Sequence, residues 1–130
     1  MTNHPYPVLN LQAAWIGILL GCISGAAQGL FFNRQDWLGG YGSWRRRMIR
    51  LGHISFFGIA FLNLAFAFTA TLTGNTGGMV WPSWLMLAGA IGMPLFCYLS
   101  AFEEKLRHGF PLPVLCLTAA VVIVIQRLFR

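Results

Sequence analysis

Charge of either sign is scarce in this chain, and acidic charge almost absent. Aspartate and glutamate together number three in 130 residues, and charged residues make up 9% of the sequence. Soluble domains carry about 25%, so this deficit excludes an ordinary water-soluble domain. From Met1 to Asn33 there is no Asp, Glu, Lys or Arg at all. Cysteine is also sparse: Cys22, Cys97 and Cys116 all fall in apolar stretches, which argues against a disulfide framework. No HExxH, CxxC, phosphate loop or nucleophile–base arrangement occurs, so the chain reads as a non-enzyme. There is no basic region ahead of the first apolar run, so a secretory signal peptide is not expected.

Hydrophobic residues make up 57% of the sequence and fall into long runs. The runs predict an all-α membrane protein of one domain, residues 1–130, with four transmembrane helices in a compact bundle. They cover about 11–32, 51–73, 79–102 and 112–128, against the ~20 residues that cross the hydrocarbon core. Residues 1–10 read as an irregular lead-in, and 73–78 (TGNTGG) as a tight connection. Ser43 is placed to cap the second helix, which can be entered from Trp44. Pro82 suits the first turn of the third helix, whereas Pro94 should kink it.

The formal net charge is +6, yet the basic residues flank apolar spans. That placement fits lipid headgroups and topology rather than nucleic acid. Arg34, Arg45, Arg46, Arg47 and Arg50 follow the first span, and Lys105 and Arg107 follow the third. The positive-inside rule then puts both loops in the cytoplasm and both termini on the outer side. A bacterial inner membrane is the expected location. Four arginines at a helix N-terminus oppose the macrodipole, as do Glu103 and Glu104 at a C-terminus. Pairing across the two helix ends would relieve both. The remaining arginines would hold an anionic lipid or simply set topology.

Glycine recurs every fourth residue in the first span, at Gly17, Gly21, Gly25 and Gly29. Such a run lets another helix backbone approach closely, within the bundle or from a second chain. His53 is the histidine inside a span, and His108 lies beyond the third span on the same predicted side. As a pair they could ligate a b-type haem; otherwise His53 bonds a backbone carbonyl or Glu103. Met79, Met86 and Met93 recur every seventh residue, with Cys97 four further on. Thioether and thiolate on one helix face suit Cu(I), although methionine also serves as packing.

Two families have comparable size and span number. Small multidrug resistance transporters couple protons through a glutamate in the first helix, which this chain lacks. In small fluoride channels a glycine precedes a functional asparagine by five positions, and Gly58 and Asn63 keep a similar spacing within GIAFLN. The phenylalanine-bearing polar break of their third helix is missing from SWLMLAGAIGMPLFCYLS. Their balanced charge distribution is missing too. The sequence therefore points to a small subunit or assembly partner of a larger membrane complex, respiratory or photosynthetic. A haem or copper binder, and an oligomeric pore packed through the glycine face, are the alternatives.

Overall fold

A computed structural model describes residues 5–74 and 77–130. The chain is all-α. Its long helices are α1 (Tyr6–Gly29), α2 (Trp44–Thr73), α3 (Val80–Phe102) and α4 (Pro111–Leu128). Each belongs to an apolar segment long enough to span a membrane. Short 3-10 turns at Trp37–Gly39, Gly77–Met79 and Glu104–Gly109 connect them. The expected connection at 73–78 contains Asn75 and Thr76, which lie outside the described residues.

The first helix differs from the sequence expectation at both ends, stopping at Gly29 rather than near Phe32, and the second takes the earlier entry at Trp44 that the sequence allows. The first helix begins at Tyr6 rather than near Leu11, and residues 6–10 are helical rather than irregular. Pro5 occupies the N-cap position without a side-chain hydrogen bond, and Pro7 sits in the first turn, where the missing N–H has no helical partner to lose. The second helix begins at Trp44, seven residues before the apolar run. Ser43 caps it, its Oγ accepting from the Arg46 N–H at 3.2 Å. The same hydroxyl donates to the Leu38 carbonyl at 2.7 Å, bracing a turn in which Leu38 holds a φ of 55°. The resulting 30 residues are about 45 Å long, more than the ~30 Å hydrocarbon core requires, so α2 extends beyond the core. Pro94 lies inside α3, which continues without a break from Val80 to Phe102.

Sequential helices run antiparallel. Gly17 faces Ala60 and Gly25 faces His53 between α1 and α2. Asn63 reaches Met86 while Trp44 reaches Ser100 between α2 and α3. Gly92 faces Pro113 and Phe96 faces Phe110 between α3 and α4. The connections at 30–43 and 103–110 therefore share one end, here the arginine end. There Trp44 Nε1 donates to the Ser100 carbonyl at 2.7 Å and Arg45 Nε to the Ala101 carbonyl at 3.2 Å.

Two kinds of packing hold the bundle. α4 leans mainly on α3, in an apolar cluster of Phe66, Ala70, Met79, Met86 and Ala120. α1, α2 and α3 meet instead along a seam of small and polar residues. The buried residues of α1 are Asn10, Ala14, Gly21 and Gln28, with few large apolar side chains facing inward. Trp15, Ile16, Leu19 and Ile23 point outward. This reversal of the soluble pattern follows from the solvent. Lipid gives no hydrophobic reward for burying leucine, so close backbone approach and hydrogen bonds hold the helices together.

Candidate functional site

The polar groups of the bundle gather between α1, α2 and α3. Toward the end opposite the arginines, Asn10, Asn63 and Ser83 form a knot, all fully buried. Asn10 Nδ2 donates to Asn63 Oδ1 at 2.7 Å and approaches the Ser83 carbonyl at 3.4 Å. Ser83 Oγ donates back to Asn10 Oδ1. Asn63 Nδ2 donates to the Ile59 carbonyl at 3.0 Å and reaches the Met86 carbonyl at 3.5 Å. Three helices are thus joined through amide and hydroxyl groups whose donors and acceptors are matched. In a low-dielectric interior such a network fixes relative helix position as well as adding stability.

The glycines of α1 form the next layer. A Cβ placed on Gly17 would lie 3.1 Å from the Ala60 Cβ. On Gly21 it would lie 2.7 Å from the Phe57 ring, and on Gly25 2.6 Å from His53 Cε1. Gly29 differs: an added Cβ would meet nothing within 4 Å. Three of the four predicted glycines thus face α2, and the fourth faces outward.

His53 sits in that layer. Its Nδ1 lies 3.0 Å from Ser24 Oγ, which also lies 3.1 Å from the Gly21 carbonyl. Phe57 stands edge-on to the imidazole at 5.5 Å. Serine, rather than the expected carbonyl or Glu103, is the partner. Tyr98 packs against Gly52 and Phe56, and its buried hydroxyl has no hydrogen-bond partner among the described residues. Gln28 Nε2 donates weakly to the Ile49 carbonyl at 3.4 Å. The group therefore offers hydroxyl, imidazole and amide groups but no carboxylate.

The other candidate ligands are dispersed. His108 lies in the exposed Glu104–Gly109 turn, which packs on α3 and α4, whereas His53 packs on α1. The structure does not bring the two histidines together. Met79 and Met86 are buried in the apolar cluster with Phe66. Met93 is half-buried, and Cys97 is fully buried as a free thiol.

At the arginine end the four arginines separate into different environments. Arg46 is 2% exposed. It donates through Nη1 to the Arg34 carbonyl at 3.4 Å and through Nη2 to the Phe32 carbonyl at 3.3 Å. The rings of Phe32, Trp37 and Tyr41 lie 5.3–5.4 Å from its guanidinium carbon. Arg46 thus pins the α1–α2 connection, with Nε buried and unpartnered. Arg50 stacks on Tyr41 at 4.4 Å and Arg45 on Phe102 at 5.6 Å, while Arg47 is exposed. Carbonyls and aromatic faces take the role expected of Glu103 and Glu104. A guanidinium suits this role because its planar, weakly hydrated face stacks while its edge donates.

Sequence reasoning missed Asn10, Ser24, Gln28, Ser83 and Tyr98. A signal for three of them was present. Asn10, Gly17 and Ser24 recur every seventh residue, as do Ala14, Gly21 and Gln28. Together they trace a coiled-coil seam of small and polar residues. Comparison with protein-family models, curated proteins and solved structures found no match for the chain.

Proposed function

We propose that this chain is a non-enzymatic integral membrane protein, a small subunit or assembly partner of a larger membrane complex. Its two arginine-bearing connections face the cytoplasm in this reading. The observation that carries the proposal is Gly58. It lies in the middle of α2 on an exposed face, and an added Cβ there would meet nothing within 4 Å. Ile54, Phe61, Leu62 and Ala65 surround it on the same outward side. Among the described residues nothing requires glycine at this position. An outward glycine admits the backbone of another chain's helix, an arrangement that lipid tails do not reward. The matched hydrogen bonds of the Asn10–Asn63–Ser83 knot support the same reading, since they hold a rigid scaffold behind that face.

The test is mild-detergent purification from the native membrane, comparing the unmodified chain with Gly58→Leu. The expected result is a co-purifying membrane protein that the variant loses, with helicity and thermal unfolding unchanged. Recovery of the unmodified chain alone, or equal retention of the partner by the variant, would contradict the proposal.

A further inference from the structure

We infer that the arginine end of the bundle binds the headgroup of a zwitterionic phospholipid of the phosphoethanolamine class, between Arg45 and Glu104. A cavity of about 310 Å³ lies there, between the start of α2 and the end of α3. Arg45 and Glu104 both line it, yet they form no ion pair with each other. Arg45 is held from α3 without help from the carboxylate. Its Nε donates to the Ala101 carbonyl at 3.2 Å, and its guanidinium lies over the Phe102 ring at 5.6 Å. Among the described residues, its remaining N–H groups and the Glu104 carboxylate have no hydrogen-bond partner.

An exposed cation held by Ala101 and Phe102 and an exposed anion on the same cavity, unpaired with each other, suit a ligand carrying both charges. A phosphodiester accepts from the guanidinium, and an ammonium donates to the carboxylate. A purely anionic headgroup meets the repulsion of Glu104, and a simple cation meets that of Arg45. The walls identify a lipid rather than a soluble zwitterion. Leu38, Trp44 and Phe102 give the cavity an apolar side. It also sits at the ends of two candidate spans, at the level where aromatic residues meet headgroups. The four-arginine anion site expected from sequence is not assembled, because Arg46 is buried under Phe32, Trp37 and Tyr41.

The experiment is native mass spectrometry of the full chain in mixed micelles. These contain equal phosphatidylethanolamine and phosphatidylglycerol with identical acyl chains. The expected result is retention of phosphatidylethanolamine in roughly threefold to fivefold excess, the ratio expected of one partly exposed ionic contact. Glu104→Gln should bring that ratio to unity. Glu103→Gln, which lies outside the cavity lining, should leave it unchanged, and circular dichroism will establish that both variants are folded. Glycerophosphoethanolamine, which lacks acyl chains, should not displace the lipid. Equal or greater retention of phosphatidylglycerol, or a preference that survives Glu104→Gln, overturns the site. Displacement by glycerophosphoethanolamine at matched concentration overturns its assignment to lipid.

Discussion

Leucine at Gly21 or Gly25 should destabilise the bundle more than any other single change considered in α1. At Gly21 even a Cβ would stand 2.7 Å from the Phe57 ring, and at Gly25 2.6 Å from the imidazole of His53. Neither partner can retreat freely. Phe57 stands edge-on to His53 at 5.5 Å, and His53 is held by Ser24 at 3.0 Å. The full leucine side chain must therefore push α1 away from α2, breaking contacts along the seam. Overpacking of this kind costs roughly 1–3 kcal/mol, and more where backbone must move. Leucine remains apolar and favours helix over glycine, so insertion and helix content should persist while packing fails. Gly29→Leu is the informative control, because an added Cβ there meets nothing within 4 Å. Leu19→Ala removes an outward side chain that is 58% exposed and should matter little. Thermal unfolding of the four variants in mild detergent should rank Gly21→Leu and Gly25→Leu far below the other two. Equal tolerance at all positions would mean that the glycine face does not seat α2.

The second large effect concerns the Asn10–Asn63–Ser83 knot. Asn63→Leu removes the acceptor 2.7 Å from Asn10 Nδ2 and strands that NH2 group, whose other contact is the long 3.4 Å approach to the Ser83 carbonyl. A buried donor left without a partner costs roughly 1–3 kcal/mol. Hydrogen bonds between membrane helices average about 0.6 kcal/mol in double-mutant cycles, because the separated helices find other partners. The loss from Asn63→Leu should exceed that average, since desolvation of Asn10 adds to the lost bond and bulk is altered at a fully buried site. Asn10→Leu should show a comparable loss. The double variant should lose less than the two single losses added together, because neither asparagine then remains stranded. A cycle of unfolding free energies in detergent checks this. Strict additivity would mean that the two asparagines act separately despite their contact.

The four spans were legible in the sequence because charge is so rare that the clusters at 34–50 and 103–107 mark two boundaries, and the glycine-rich TGNTGG at 73–78 marks the third. Ser43 as a helix cap was legible for a similarly local reason. The start of α1 was not, since Pro5 and Pro7 imitate an irregular segment when their place in the first turn is unknown. That error hid Asn10, which then had no helix face to belong to. The glycine spacing was informative but slightly misleading. A four-residue repeat advances 40° beyond each helical turn, so Gly29 lies about 120° from Gly17 and leaves the seam. The true seam follows a seven-residue period through Asn10, Gly17 and Ser24. At the arginine end the sequence suggested pairing by charge sign alone. Arg46 instead meets carbonyls at 3.3–3.4 Å and three aromatic faces, partners whose proximity depends on the fold of the 30–43 connection. Tyr98 carried no local pattern, and its place against Gly52 and Phe56 arises from the packing of α3 on α2.

The glycine face of α1 seats α2 of the same chain, rather than α1 of a second copy. Disulfide formation between Gly17→Cys and Ala60→Cys tests this most directly, with Cys22, Cys97 and Cys116 replaced by alanine. An added Cβ at Gly17 lies 3.1 Å from the Ala60 Cβ. Cβ atoms bridged by a disulfide lie about 3.5–4.5 Å apart, so the pair is within reach after a small outward shift. Mild oxidation in native membranes should give a cross-link within one chain, seen as a faster-migrating monomer and confirmed by peptide mapping. Cross-linked dimers through these positions, or no cross-link at all, would contradict this seating of α2.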